Sequence, residues 1–311
     1  MKISKRFSDF FDRCFRPFPS HLRKKALVLE GGGMRGVFLT GVLQAFTDKH
    51  YFPWEIIIGS SAGALNGALY ASDQIHLARD AFFTYIPSAD FINFSNVIHP
   101  DKHILDIDWI IETIINGDDP MDIKMLKKCC PVLITATDCT PYTKPKTVYL
   151  NSREDDIVTA LKATAAVPYL YRGFVKYRNH QFLDGALLDP IPFKKALDLG
   201  YKEEDILVVM SHYKGYRKSQ ESFWVKTLYE NYYKDEKYRY LVEALDQRFI
   251  GYNAIIDDLY LNHPGISILY PPEQFKLNRI SHGRVKLAEG FEFGVSAAKK
   301  WLGLKAPHPP L

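Results

Sequence analysis

The apolar residues of this chain form short runs that alternate with stretches of helical spacing. Helical spacing covers residues 35–48 and 62–71, and each of these stretches follows an apolar run. Such alternation predicts parallel strands joined by crossover helices, and therefore an α/β fold. The runs with the composition of strands are 26–30, 55–58, 131–137, 147–150, 173–177 and 206–210, with a hairpin between 175–177 and 181–183.

Two regions depart from this alternation. Residues 73–130 combine helical and irregular patterns with polar residues, which is typical of a lid or cap. In the last third of the chain, charged residues and tyrosines become frequent, and apolar residues follow helical spacing from Leu241 to Leu259. We therefore predict an α/β domain over residues 25–215 and a helical extension over residues 216–311.

The first 24 residues form a separate, basic arm. Residues 1–25 hold eight Lys or Arg against two Asp, whereas the remainder holds 32 Lys or Arg against 34 Asp or Glu. Phenylalanines recur at helical spacing from Phe7, and Pro17 ends the predicted helix near Arg16. A basic helix with an apolar face either lies on an anionic membrane through residues 1–20 or packs on the protein's own core, and the sequence leaves both open.

The overall composition is that of an ordinary globular protein, because 47% of the 311 residues are hydrophobic and 24% are charged. No run reaches the roughly 18 consecutive apolar residues of a membrane-spanning helix, and no signal peptide is recognised, so we expect a cytoplasmic protein. Four cysteines are too few for a disulfide scaffold. The slightly negative charge outside the arm argues against nucleic acid as a partner.

The first candidate site is the loop GGGMRG, from Gly31 to Gly36, between a predicted strand and a predicted helix. Three successive glycines allow positive φ and expose backbone N–H groups at a helix start, where the helix dipole favours negative charge. Either a pyrophosphate or a transition-state oxyanion would be stabilised there. Arg35 opposes that dipole, so it serves the loop or a phosphate group, or else it is an ordinary surface residue.

The second candidate, Gly59-Ser60-Ser61-Ala62-Gly63, decides between these two anions. It lies between a predicted strand and a predicted helix, which is the setting of a G-x-S-x-G nucleophile elbow. A dinucleotide-binding unit would instead carry an acidic residue near the end of that strand to hold a ribose. The flanking glycines avoid clashes at a sharp turn that exposes the serine hydroxyl. We therefore predict that Ser61 is a nucleophile and that the glycine loop binds an oxyanion.

The third candidate is Asp184-Gly185-Ala186, which follows the predicted hairpin. An Asp before Gly is by itself most often a turn residue. Together, however, the motifs EGGGMRG, GSSAG and DGA, in this order and spacing, resemble the patatin-like phospholipase family, which includes the cytosolic phospholipase A2-type lipases. The small-residue stretch KATAAVP at 162–168 resembles that family as well. The resemblance covers roughly residues 25–215.

This resemblance implies a three-layer α/β/α core with a mainly parallel sheet, and a lipid acyl hydrolase that needs no cofactor and no metal. Ser61 and Asp184 would form a catalytic dyad that acts through an acyl-enzyme on phospholipids, lysophospholipids or related lipids. The backbone N–H groups of Gly32, Gly33 and Ala62 would bind the oxyanion. The other residues that the motifs place at the site are Gly31, Arg35 and Gly36 in the loop, and Gly59, Gly63, Gly185 and Ala186 around the dyad.

Two other interpretations stay open at this point. His212 follows a predicted strand and comes after Asp184, which is the Ser…Asp…His order of an α/β-hydrolase triad. A non-catalytic module could also use the glycine loop and the basic arm to bind lipids or anions. Glu30 departs from the family pattern, in which a smaller or shorter polar residue commonly precedes the glycines, so the polarity around the loop is open.

Overall fold

The computed structural model describes residues 25–99, 101–278 and 283–303, and within them a single sheet of eight strands forms the centre. The basic arm, residues 1–24, lies outside the described residues. The strands are β1 (Lys25–Leu29), β2 (Trp54–Ser60), β3 (Val132–Asp138), β4 (Lys146–Asn151), β5 (Val175–Tyr177), β6 (His180–Asp184), β7 (Ile206–Val209) and β8 (Ser267–Leu269).

The strand order is β5-β6-β3-β2-β1-β7-β8, with β4 also paired to β3. The pairs among β3, β2, β1, β7 and β8 are parallel, whereas β3 pairs antiparallel with β4 and β6, and β5 with β6 forms an antiparallel hairpin. The predicted α/β class with a mainly parallel sheet is therefore confirmed. Strand β8 was not predicted, because its three residues are too few to show alternation.

Helices connect and cover the strands. The helix Ile75–Asp80 continues into a π-helical turn (Ala81–Tyr85). The helices are α1 (Gly36–Asp48), α2 (Ala62–Ala71), α3 (Ile75–Asp80), α4 (Ile107–Asn116), α5 (Ile123–Lys128), α6 (Ile157–Ala165), α7 (Phe193–Asp198), α8 (Phe223–Tyr232), α9 (Arg239–Leu261) and α10 (Arg284–Trp301).

The sheet is buried on both faces, which makes the core three-layered. Along β1, Leu27 packs in one apolar cluster with α1, α2 and α10, while its neighbour Val28 packs in a second cluster with α7 and α9. Successive side chains of a strand point to opposite faces, so a strand covered on both faces reads as a continuous apolar run. This explains why the central strands were recognisable in the sequence.

The C-terminal region contributes directly to this core. Strand β8 extends the sheet beyond β7, and α10 packs against α1. A Cβ at Gly41 would lie 2.0 Å from the Phe291 carbonyl oxygen, and one at Gly294 would lie 2.1 Å from the Phe38 carbonyl oxygen. The two helices therefore cross with their backbones in contact. The region after residue 215 contains α8, α9 and α10 together with β8, and the division into a domain and an extension stays a prediction.

The described residues contain no membrane-spanning helix, no metal-binding cluster and no disulfide. None of their helices combines the length and the apolar character needed to cross a bilayer. No group of three or more His, Cys, Asp or Glu among them is arranged to hold a metal ion. Cys129, Cys130 and Cys139 form no disulfide within the described part of the chain.

Candidate active site

Ser61 lies in a sharp turn between β2 and α2, in the position that the motif predicts. Its backbone has φ 52° and ψ −128°, a conformation that L-residues rarely adopt. A Cβ at Gly59 would lie 2.7 Å from the backbone of Ala64, and one at Gly63 would lie 2.4 Å from the Leu29 carbonyl oxygen. Only glycine fits at either position, so the two glycines permit the turn that carries the serine to the start of α2.

The side chains of Ser61 and Asp184 are in contact. Ser61 Oγ donates a hydrogen bond of 2.7 Å to Asp184 Oδ2, and both residues are buried. The other carboxylate oxygen accepts from the Ala186 N–H at 2.7 Å. The backbone of Asp184 is also fixed, since its carbonyl accepts from Thr137 Oγ1 and its N–H donates to the Ala166 carbonyl, each at 2.9 Å. The carboxylate is thus held in one orientation against the hydroxyl.

The sheet explains how these two distant residues meet. Strand β4 pairs with β3 over residues 133–138, so it occupies one edge of β3. Strands β2 and β6 must therefore share the other edge. On that edge β2 ends with Ser60 opposite Thr135, and β6 ends with Asp184 opposite Ala136. The carboxyl ends of β2 and β6 face each other along β3, and this brings residue 61 beside residue 184.

Thr164, which sequence reasoning did not single out, ties the serine turn to the sheet. Its hydroxyl accepts a hydrogen bond of 2.8 Å from the Ser61 N–H and donates one of 2.6 Å to the Thr135 carbonyl oxygen. A Cβ at Gly185 would lie 2.2 Å from that same oxygen, so glycine is required there. Thr164 belongs to the small-residue stretch 162–168, whose pattern indicates close packing but does not distinguish one polar residue.

The glycine loop joins β1 to α1 through a 3₁₀ turn (Gly33–Arg35). Gly33 has a positive φ of 56°. A Cβ at Gly32 would lie 2.5 Å from Ser211 Oγ, so the loop packs directly against the residues that follow β7. The loop therefore needs glycine at one position for its conformation and at the next for its close packing.

At the starts of α1 and α2, some backbone N–H groups donate hydrogen bonds within the protein, whereas others have no backbone acceptor among the described residues. The Gly31 N–H donates to the Pro190 carbonyl oxygen at 3.0 Å, so Gly31 shapes the loop and does not supply a donor to the site. The Gly36 N–H bonds back into the loop, and a Cβ there would lie 2.8 Å from Ala62 Cβ, so α1 and α2 converge at their starts. Within the described residues, no backbone acceptor is found for the N–H groups of Gly32, Gly33 and Ala62.

Glu30 forms a buried network behind the loop. Its Oε1 accepts hydrogen bonds from His212 Nδ1 at 2.7 Å and from the Tyr252 hydroxyl at 2.9 Å, and its Oε2 accepts from the Ser211 N–H. Burial alone would raise the pKa of the Glu30 carboxyl, but the His212 ring, the Ser211 N–H and the charge of Arg35 lower it to about 2. An ionised carboxylate therefore links the ends of β1 and β7 to α9.

The alternative triad with His212 is not the observed arrangement. Ser61 Oγ bonds directly to Asp184, whereas His212 Nδ1 is engaged by Glu30. Chain order could not distinguish the two arrangements, because it does not reveal which carboxylate faces the histidine. The sequence contained one signal of this network, namely that Glu30 departs from the family pattern.

We expect Glu30→Gln to lower the free energy of unfolding at neutral pH by about 3 kcal/mol, because folding lowers the pKa of this carboxyl. Such a carboxyl stabilises the fold above its unfolded pKa of about 4.5, and the contribution is lost as the pH falls towards 2. Denaturant unfolding of both proteins between neutral pH and about pH 3 should show the difference narrowing.

The control for this experiment is Glu289→Gln, which changes an exposed carboxylate on α10. Its effect should stay small across the same pH range. A Glu30→Gln difference that does not vary with pH would contradict an ionised, buried Glu30.

A cavity opens at the dyad, with an apolar wall and a charged end. The glycine loop, Ser61 and Asp184 line it, and so do four basic side chains at the charged end, those of Arg35, His212, Lys218 and Arg248. Segment 73–130, predicted as a lid, supplies much of the apolar wall. Representative apolar lining residues are Leu65, Leu69, Phe82, Phe91, Ile110 and Ile114.

Comparison with known proteins identifies the family of this chain. The family model described as patatin-like phospholipase matches residues 27–197, which include the glycine loop, Ser61 and Asp184. The chain belongs to the patatin-like phospholipase family. Membership of this family implies a lipid hydrolase.

Three known proteins are similar to the chain in sequence or in structure. The chain is 26% identical to the uncharacterized protein YjjU of Escherichia coli over 296 residues, which is 90% of this chain and 76% of YjjU. It is 51% identical to the lysophospholipase nte1 of Aspergillus terreus over 51 residues, only 16% of this chain and 3% of nte1. The crystal structure of VipD from Legionella pneumophila superposes with a TM-score of 0.52 and 13% identity, covering 90% of this chain and 67% of VipD. The VipD superposition supports the shared fold.

Proposed function

We propose that the protein is a serine carboxylic-ester hydrolase of acyl lipids, with Ser61 as nucleophile and Asp184 as general base. The observation that carries this proposal is the 2.7 Å hydrogen bond from Ser61 Oγ to Asp184 Oδ2, at the point where two helix starts converge. Both residues line a cavity whose apolar wall suits an acyl chain. No cofactor takes part in this mechanism.

In the acylation step, Ser61 Oγ attacks the ester carbonyl carbon while Asp184 takes the hydroxyl proton. The carbonyl oxygen becomes an oxyanion, which the N–H groups of Gly32, Gly33 and Ala62 stabilise together with the positive ends of α1 and α2. Each such donor contributes about 3 kcal/mol to stabilising the transition state.

The intermediate then collapses. The bond from the carbonyl carbon to the alcohol oxygen breaks, and the protonated Asp184 returns the proton to that oxygen, so the alcohol leaves and an acyl-Ser61 ester remains. Asp184 next takes a proton from water, which attacks the acyl carbon. The Ser61 Oγ leaves with that proton, and the fatty acid is released.

The substrates we propose are fatty-acyl esters of phospholipids, lysophospholipids or related lipids, so that the protein would act in lipid degradation. Family membership supports a lipid, and the local match to a protein named lysophospholipase supports a single-chain lipid. The apolar wall formed by segment 73–130 supports an acyl group bound next to the serine.

A fluorophosphonate probe tests the proposal directly. The probe reacts stoichiometrically with an activated serine, and mass spectrometry of the labelled peptide should place the adduct on Ser61. Ser60→Ala is the matched control, because Ser60 is fully buried and lies next to Ser61 in the chain. That variant should still label. A protein that binds lipid but does not react would instead be the non-catalytic binding module.

The basic arm is proposed to add peripheral contact with anionic membranes. Deleting residues 1–20 should weaken association with vesicles that contain anionic lipid, because these residues carry five Lys or Arg against two Asp beside a row of phenylalanines. Vesicle co-sedimentation measures this, with purely zwitterionic vesicles as the control. Unchanged binding after the deletion would favour an arm that packs on the core. A cytoplasmic location stays a prediction.

A further inference from the structure

The charged end of the cavity comes largely from outside the matched part of the family model. His212, Lys218 and Arg248 all line the cavity, and all three follow residue 197, where the match ends. Arg35 of the glycine loop adds a fourth basic side chain. The carboxylate on the cavity wall is that of Asp184, which already accepts the Ser61 hydroxyl proton in a hydrogen bond. Three of the four basic side chains that line the cavity therefore lie beyond the family match.

His212 is oriented as a ligand-binding group. Its side chain is only 4% exposed, and its ring stacks on Tyr216 with the ring centres 4.0 Å apart. The Nδ1 edge faces Glu30, so the Nε2 edge faces away from that carboxylate. Nε2 is buried and has no hydrogen-bond partner among the described residues. A buried polar atom of this kind normally has a partner, and His212 lines the cavity, so we infer that the partner is a ligand.

Arg248, like His212, is buried and carries a nitrogen without a hydrogen-bond partner among the described residues. It is buried on α9, where its guanidinium bonds to Glu221 and lies over the Tyr229 ring, 5.6 Å from the ring centre. Its Nε is buried and likewise lacks a hydrogen-bond partner within the described residues. Glu221 thus binds one nitrogen of the guanidinium, while the Nε–H of Arg248 has no acceptor among the described residues.

Helix α9 also joins Arg248 to the other two residues. Tyr252 lies one turn further along α9, so it shares a face of that helix with Arg248. Lys218 Nζ lies 4.4 Å above the Tyr252 ring, and the Tyr252 and His212 rings are 5.5 Å apart. His212 and Lys218 are therefore neighbours around Tyr252, and Arg248 precedes Tyr252 by one turn of α9 and lines the same cavity.

We propose that His212, Lys218 and Arg248 bind the phosphate of the lipid head group while the acyl chain occupies the apolar wall. This inference rests on the proposed hydrolase function, because it places an acyl lipid in the same cavity. Phosphate fits the cluster because its oxygens accept several charge-assisted hydrogen bonds at once, from a guanidinium, an ammonium and a protonated imidazole. A neutral glyceride would offer the buried Arg248 Nε–H only an uncharged acceptor, which forms a weaker hydrogen bond than a phosphate oxygen does.

The protonation of His212 is consistent with an anionic ligand. Burial lowers its pKa, the Glu30 carboxylate opposes that shift, and the charges of Arg35 and Lys218 add to it. The other titratable groups against the ring are the phenols of Tyr216 and Tyr252. Without an anion the neutral ring is favoured. A phosphate beside Nε2 offsets the nearby positive charges and favours the protonated ring, whose Nε2–H can then donate to it.

Two lipids that differ only in the phosphate test the proposal. Lysophosphatidic acid and the monoacylglycerol of the same acyl chain are bound to the Ser61→Ala protein below their micelle concentrations, so that no turnover occurs. We expect lysophosphatidic acid to bind at least about tenfold more tightly, as one charged hydrogen bond suffices for that ratio. Equal affinities would overturn the proposal. So would inorganic phosphate that binds as tightly as lysophosphatidic acid, because the site would then serve free anions.

Substitutions of individual basic residues test which of them cause the preference for lysophosphatidic acid over the monoacylglycerol. Arg248→Met should reduce the ratio of the two affinities by about tenfold, and Arg248→Lys should restore part of it. Lys218→Met provides a second measurement at a half-buried position, where misfolding is of less concern. Arg217→Met is the control, since Arg217 is exposed and pairs with Asp257. A preference that survives both Met substitutions at Arg248 and Lys218 would overturn the assignment.

The outcome for head-group binding is separable from the outcome for catalysis. Hydrolysis of both lipids by the unmutated protein, with equal affinities, would retain the hydrolase and reject the phosphate subsite. A clear preference for lysophosphatidic acid without any hydrolysis would retain the subsite and reject the hydrolase.

Discussion

Ser61→Ala and Asp184→Asn are each expected to lower kcat for ester hydrolysis by about a thousandfold or more. In the proposed mechanism, the first substitution removes the atom that forms the acyl-enzyme. The second keeps the shape of the side chain but removes the carboxylate that receives the Ser61 proton across 2.7 Å. Initial rates on short-chain nitrophenyl esters measure both effects, with the folded state of each variant checked by thermal unfolding.

Asp189→Asn is the matched control for this experiment. Asp189 lies five positions beyond Asp184, and its carboxylate accepts a hydrogen bond from the Tyr149 hydroxyl rather than from the nucleophile. It should retain activity. Full turnover in Ser61→Ala would remove the basis of the proposed mechanism. Activity that persists in Asp184→Asn but disappears when His212 is replaced by Ala would favour a histidine triad instead.

Gly294→Ala is expected to lower the free energy of unfolding by roughly 3 kcal/mol, at the upper end of the range for overpacked cores. The added Cβ would lie 2.1 Å from the Phe38 carbonyl oxygen and 2.9 Å from the Val42 backbone nitrogen. Both atoms belong to the backbone of α1, so they cannot move aside as a side chain would. The two helices would have to separate, and α1 begins at the glycine loop, so activity should fall as well.

Gly251→Ala makes the same chemical change in helix α9, where no atom lies within 4 Å of the added Cβ. It should leave stability unchanged or raise it by up to about 1 kcal/mol, because Ala has the higher helix propensity. Denaturant unfolding measures the free energy of unfolding of Gly294→Ala and of Gly251→Ala. Equal stabilities would contradict the close crossing of α1 and α10, and with it the view that the C-terminal region forms part of the catalytic core.

Much of the site could be predicted because its motifs describe local geometry. Gly59 and Gly63 flank Ser61 because side chains there would collide with Ala64 and Leu29, and this requirement is visible in the sequence as a G-x-S-x-G pattern. The glycine loop is recognisable for the same reason. Thr164, by contrast, acts on Ser61 through a hydrogen bond between residues 103 positions apart, and no local pattern indicates such a partner.

In the fold, too, some features follow from local sequence and others depend on contacts between distant residues. The central strands were recognisable because burial on both faces makes them continuous apolar runs, as at Leu27 and Val28. Strand β8 was missed because it is short and depends on β7 for its pairing. The prediction of a boundary near residue 215 rests on composition, whereas the contact of Gly294 with α1 depends on packing, which composition does not report.

By itself, the sequence determined the α/β alternation, the two glycine-rich helix starts and the position of Ser61 at the second of them, because each depends on neighbours within a few positions. Only the tertiary structure decided that Asp184, and not His212, faces the serine, and that Glu30 holds His212 behind the loop. Those pairings depend on the order of strands along β3 and on the placement of α9, and interactions between such distant segments leave no periodic or local signal in the chain.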